Sequence, residues 1–130
     1  MTSESSKLKV LLVDDDIMNR RIVVSMVDRM GHLADAVANG KDALNRLAEE
    51  HFDLVLMDCQ MPDLDGYETT ALIRCPSSNI KNPNVPIVAL TADTLTSTKA
   101  ACIGAGMNDY LSKPVQMRQL EEMFTRWLKL

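Results

Sequence analysis

Asp14, Asp15 and Asp16 follow Val10-Leu11-Leu12-Val13, and Asp58 follows Leu54-Val55-Leu56-Met57. Thr91 follows Ile87-Val88-Ala89-Leu90, and Lys113 follows Tyr110-Leu111-Ser112. Carboxylates, a hydroxyl and an amine brought together make a site for a metal-bound phosphoryl group. The acids would hold a hard cation, and the amine and hydroxyl would bind phosphoryl oxygens. A charged Asp58 directly after four apolar residues is costly without a counter-ion. Carboxylates at two adjacent strand ends also repel and raise each other's pKa, which a divalent cation relieves. Mg²⁺, with Mn²⁺ as its substitute, is the expected cofactor. Asp14, Asp15 and Asp58 with Lys113 leave two negative charges, which such a cation would cancel.

The apolar runs must supply the geometry. Runs of this length read as strands buried on both faces of a parallel sheet. Strand-like and helix-like segments alternate five times, the pattern of an α/β fold. The strands are expected at Leu8–Val13, Ala34–Val37, Asp53–Met57, Ile87–Leu90 and Asp109–Ser112. The first helix should bury Ile17, Ile22, Met26, Val27 and Met30 and stop at Gly31. Asn39-Gly40 turns the chain into a second helix with Ala43, Leu44 and Leu47 as its buried stripe. The third helix is expected over Tyr67–Arg74, after a loop containing Met61-Pro62 and Asp65-Gly66. The fourth runs over Thr94–Ile103, ended by Gly104 and Gly106. The fifth carries Met117, Leu120, Phe124, Trp127 and Leu128 on one side. Cys75 to Pro86 reads as a loop longer than the usual connection.

Crossovers between parallel strands are right-handed almost without exception. The simplest sheet is then a doubly wound, five-stranded one of order 2-1-3-4-5, with helices on both faces. Its switch point falls between strands one and three, where Asp14, Asp15 and Asp58 end their strands. Lys113 precedes Pro114, which restricts its backbone to extended geometry and aims the ammonium past the strand end. Thr91, followed by the small Ala92, can present its hydroxyl without crowding. Asp16 reads as a helix N-cap.

Composition narrows the function. The chain has 130 residues and a formal charge of −4, with no basic surface to attract nucleic acid or an anionic membrane. Neither direct nucleic-acid binding nor membrane insertion is expected, since no apolar stretch approaches the ~20 residues a span requires. Residues 1–7 are polar, without the apolar region of a signal peptide, and read as a flexible leader before a domain over 8–130. Cys59, Cys75 and Cys102 lack metal-ligand spacing and read as reduced thiols of a cytoplasmic protein. His32 and His51 fall at connections and are expected on the surface. The glycines form no nucleotide-cradling loop.

In this order the motifs resemble the response-regulator receiver domains of two-component phosphorelays. Leu-Val-Asp-Asp ends at Asp15, Met-Asp-Cys-Gln-Met-Pro surrounds Asp58, and Asp65-Gly66 follows. Ala89-Leu90-Thr91-Ala92 and Tyr110-Leu-Ser-Lys-Pro complete the set, so the likeness covers about Leu8 to Leu128. The wording around Asp58, Thr91 and Lys113 is most like receivers of hybrid sensor histidine kinases.

The resemblance implies that Asp58 is the phosphoacceptor for a phosphohistidine on a histidine kinase or histidine phosphotransfer domain. Asp14, Asp15, Asp58 and the Gln60 backbone carbonyl would hold the metal, and Lys113 would pair with phosphoryl oxygens. Thr91 and Tyr110 would switch together, and Gln60 and Asp93 would tune the lifetime of the acyl phosphate. The Lys113–Pro114 bond would be cis. Helix four, strand five and helix five would form the output face, through which a weak homodimer is expected.

Such a domain assists its own phosphorylation without being an enzyme in its own right. It could stand alone or belong to a larger hybrid kinase; the sequence leaves both open. A haloacid-dehalogenase-like phosphohydrolase would carry a general-acid aspartate where Gln60 stands. A flavodoxin-like carrier would need a Ser/Thr/Gly-rich loop where the three aspartates stand. A receiver-like binding module that takes no phosphoryl group would not need all five key positions filled.

Overall fold

Side chains alternate between the faces of a strand, so a run that is apolar throughout needs cover on both sides. The first strand, β1 (Lys9–Val13), shows this residue by residue. Leu11 and Val13 enter one core cluster, and Val10 and Leu12 enter the other. The same split divides Val55 and Met57 from Leu54 and Leu56, and Ile87 and Ala89 from Val88 and Leu90.

The computed structural model describes residues 7–76, 78–92 and 96–128, without the side chains of 96 and 97. After β1 come α1 (Ile17–Arg29), β2 (Leu33–Val37), α2 (Gly40–Glu49), β3 (Leu54–Asp58) and α3 (Gly66–Arg74). They are followed by β4 (Ile87–Thr91), α4 (Thr96–Ala105), β5 (Asp109–Ser112) and α5 (Met117–Leu128). All strands are parallel in the order β2-β1-β3-β4-β5, as the sequence predicts. Helices α1 and α5 cover the Val10–Leu12 face, and α2, α3 and α4 cover the Leu11–Val13 face. Apart from Lys7, the expected leader lies outside the described residues, as do Asp93 and the expected start of the fourth helix at Thr94.

Three details differ from the sequence reading. Ile17 and Ile22 are half exposed, and Val23 takes their place in the buried stripe of α1 beside the expected Val27, with Met26 and Met30 packed against it. Helix α4 runs through Gly104 and ends at Gly106, whose φ of +105° favours glycine. His32 is half-buried rather than on the surface: Leu8 N–H donates to its Nδ1 at 3.1 Å, and its ring packs 5.3 Å from that of Phe124.

The edge of the sheet opposite the acids is tied by one cation. Arg74, at the end of α3, donates to the carbonyls of Gly106, Pro83 and Val85 and to Asn108 Oδ1 at 2.6–3.0 Å. Asn108 Oδ1 also accepts from Ile87 N–H.

Candidate functional site

The acids meet because β1 and β3 are neighbours in register, with Val13 beside Met57. The residues one step beyond, Asp14 and Asp58, therefore leave the sheet side by side. Asp14 is fully buried and Asp58 is 3% exposed, while Asp15 is exposed. One carboxylate oxygen from each of the three lies within 4.8 Å of the others. Lys113 reaches in from the end of β5, with Nζ 2.9 Å from Asp58 Oδ1 and 3.7 Å from Asp14 Oδ2. Its backbone N–H donates to Thr91 O, and the Lys113–Pro114 bond is cis.

Asp58 Oδ1 also accepts from Gln60 N–H at 3.2 Å. The loop after β3 closes against this corner, where Gly66 N–H donates to Cys59 O at 3.1 Å. A Cβ on Gly66 would fall 2.2 Å from Asp58 O, so only glycine lets the loop lie flat on the acceptor's backbone. Asp65 caps α3 in a reciprocal capping box with Glu68.

The electrostatics follow from burial. Desolvation, with the nearby Asp14 charge adding to it, pushes the Asp58 carboxyl up to about 6 despite its bonds to Lys113 and Gln60. Burial works against the Lys113 ammonium, but Asp58, Asp14 and Asp15 outweigh it and raise its pKa. Two buried carboxylates with one ammonium leave the pocket short of positive charge. The donor set is oxygen alone, without imidazole or thiolate, which fits a hard divalent cation.

Thr91 is buried at the end of β4, one register step beyond Leu90, the residue paired with Asp58. Tyr110 lies on β5 opposite Ala89, and the Lys99 ammonium of α4 sits 4.9 Å above its ring. Asp14, Asp15, Asp58, Gln60, Thr91 and Lys113 thus share one edge of the sheet, with Tyr110 three residues before Lys113, on β5.

Sequence reasoning missed two groups. Asn19 donates its side-chain amide to Asp14 Oδ2, and Arg20 Nη1 donates to Asp14 O at 2.7 Å. Their signal was an inversion: Ile17 and Met18 are exposed while the polar Asn19 and Arg20 are half-buried. The second group is the buried pair Cys59 and Cys102, with Sγ atoms 4.0 Å apart. Burial pushes the Cys59 thiol up to about 12, which leaves it protonated and unreactive.

The receiver-domain family profile matches residues 10–125. Sensor histidine kinase GacS of Pseudomonas protegens is 42% identical over 129 residues, covering 99% of this chain. Hybrid signal transduction histidine kinase K of Dictyostelium discoideum is 39% identical over 117 residues and 87% of the chain. The chain spans only 14% and 10% of those two proteins.

Among solved structures, the receiver domain of sensor histidine kinase PA1611 from Pseudomonas aeruginosa is 36% identical, with a TM-score of 0.84. The likeness covers 95% of this chain and 99% of that one, which has a magnesium ion coordinated in its active site cleft. The Saccharomyces cerevisiae receiver domain of Ssk1, solved with the histidine phosphotransfer protein Ypd1, matches at 31% identity and a TM-score of 0.81, covering 93% and 88%. No helix among the described residues is long and apolar enough to cross a membrane. With residues 10–125 matched and the likeness extending over nearly the whole chain, this protein belongs to the response regulator receiver domain family.

Proposed function

We propose that Asp58 accepts a phosphoryl group from a phosphohistidine on a histidine kinase or histidine phosphotransfer domain. One observation carries the reading: a nearly buried carboxylate, raised to about 6, stands 2.9 Å from an ammonium and beside two further acids. Asp14, Asp15, Asp58 and the Gln60 carbonyl would hold Mg²⁺ or Mn²⁺. When bound, that cation supplies the positive charge that lets phosphoryl oxygens approach the acids.

Asp58 attacks phosphorus in line, forming the O–P bond as the N–P bond to imidazole breaks and its electron pair returns to the ring. Lys113 is already oriented by Asp58 and Asp14, so it meets the developing charge with little rearrangement. Thr91, from the adjacent strand end, then bonds a phosphoryl oxygen, and Tyr110 follows into the space it leaves. That movement breaks the Lys99 contact above the Tyr110 ring and reshapes the face of α4, β5 and α5. Gln60 and Asp93 tune how long the acyl phosphate lasts against water. Helix α5 exposes Arg118, Glu121, Glu122 and Arg126, a self-complementary mixture suited to a weak two-fold contact.

The donor must approach over the start of α1. Ile17, Met18 and Ile22 are 50–61% exposed there, immediately after the acid loop. An apolar face on a histidine phosphotransfer domain, with its histidine at the rim, would cover them while delivering phosphorus to Asp58. Incubation with acetyl phosphate and Mg²⁺ should add one alkali-labile phosphoryl group at Asp58, detected by peptide mass spectrometry. Stoichiometric labelling of the Asp58→Asn protein elsewhere would remove the assignment.

A further inference from the structure

Five hydrogen bonds close the corner between β1 and α1. Asp16 N–H donates to Asp14 Oδ1 at 2.9 Å, and Asp16 Oδ1 in turn caps Met18 and Asn19 N–H. The Asn19 amide returns to Asp14 Oδ2, while Arg20 Nη1 holds the Asp14 carbonyl. Asp14 is fully buried, so each of its oxygens meets a donor from its own helix turn before any ligand arrives. The exposure pattern of that turn runs against hydropathy, with Ile17 and Met18 outside and Asn19 and Arg20 turned toward the corner.

An amide directed at a buried carboxylate does two things. It offsets desolvation with a neutral donor, adding no positive charge to repel a cation. It also fixes the carboxylate's rotation, so that the acid cluster is ready for a metal rather than reorganised by one. Lys113 cannot fill this role, because its ammonium is shared with Asp58 and would have to meet phosphoryl oxygens.

We infer that Asn19 is a positioning residue of the phosphoryl site, orienting Asp14 for cation binding from the first turn of α1. The inference rests on the phosphoacceptor reading above. Removing the amide should weaken the cation far more than the chemistry. Outer-shell partners of metal ligands typically contribute about 10–100-fold in affinity.

The test uses the full chain, with Asn19→Ala and the bulkier Asn19→Leu beside wild type. Calorimetric titration with Mg²⁺ should give binding about tenfold weaker or more in both variants. Acetyl phosphate labelling should need correspondingly more Mg²⁺ for half-saturation, yet reach the wild-type rate when Mg²⁺ saturates. A merely structural Asn19 would instead lower labelling at every Mg²⁺ concentration, and that result overturns the inference. So does Mg²⁺ affinity within about twofold of wild type in both variants, since outer-shell partners typically contribute more.

Wild type supplies an independent readout. The Asn19 side-chain amide should show a slowly exchanging, hydrogen-bonded proton by NMR both before and after Mg²⁺ is added. Its loss on metal addition would show that Asn19 lets go of Asp14, and the inference falls. Wild type that takes neither Mg²⁺ nor phosphoryl would instead remove the functional reading itself.

Discussion

Replacing Asp58 with asparagine should stabilise the metal-free protein. The carboxyl ordinarily ionises near 3.8 and is pushed up to about 6 here, chiefly by burial. Each tenfold change in an ionisation constant is worth about 1.4 kcal/mol, so keeping Asp58 charged in the fold at neutral pH costs at most roughly 3 kcal/mol. That figure is already net of the 2.9 Å ion pair with Lys113, and what asparagine gives back is the hydrogen bonding its own buried amide loses, about 1–2 kcal/mol. The net gain should be about 1–2 kcal/mol, or roughly 5 °C in Tm for a domain of this size.

The pH dependence follows from the same ionisation. Folded Asp58 holds its proton at a higher pH than unfolded Asp58 does. The stabilisation is complete below the unfolded value and is lost as pH rises through about 6. Urea unfolding in EDTA at pH 7.5 and pH 5 measures both effects. Wild type should gain stability on going to pH 5, and Asp58→Asn should gain less. An asparagine variant no more stable than wild type at pH 7.5 in EDTA would refute the argument that the pocket strains against its own charge.

Two further outcomes test how the site communicates. Thr91→Ala should still be labelled at Asp58, because the acids and Lys113 remain, but beryllofluoride should no longer shift the NMR signals of α4 and α5; equal shifts in wild type and variant would remove Thr91 from the coupling. Met18→Glu and Ile22→Glu should slow transfer from a phosphorylated histidine phosphotransfer domain by tenfold or more, since an unpaired charge covered by the partner costs more than the roughly 1.4 kcal/mol that tenfold represents. Labelling by acetyl phosphate should be unchanged in both, and an equal loss with the small donor would show that the substitutions damage the site rather than the approach to it.

The polar residues at strand ends were legible because a buried parallel strand leaves a plain signature: apolar without alternation, then abruptly charged. Asp58 after Leu54–Met57 is the clearest case, and the strand order followed from crossover handedness. Helix faces were harder to read. Ile17 and Ile22 match a buried stripe by spacing, yet the N-terminal turn of α1 overhangs the acid pocket, where polar Asn19 and Arg20 have partners and isoleucine does not. Gly104 looked like a stop, but only Gly106 needs a positive φ. Cys59 and Cys102 are 43 residues apart and meet only because α4 packs over the end of β3. Contacts of that kind depend on packing between layers, which no local pattern encodes. His32 was misplaced for the same reason, since its partners Leu8 and Phe124 come from opposite ends of the chain.

The Arg74 tie changes what the segment between α3 and β4 can tolerate. Its described acceptors are all uncharged oxygens, and burial lowers its pKa, so the cation is held by geometry rather than by an opposing charge. Lysine could not span the same carbonyls with a single ammonium. Two of those carbonyls belong to Pro83 and Val85, and just upstream Ile80 is buried in the core and Lys81 N–H donates to Leu47 O, so the lead-in to β4 is pinned from Ile80 onward. Extra residues, or an inserted tag, should therefore be rejected between Ile80 and Ile87. In mechanical terms the second half of the long connection is an anchored lead-in that sets where the fourth strand begins.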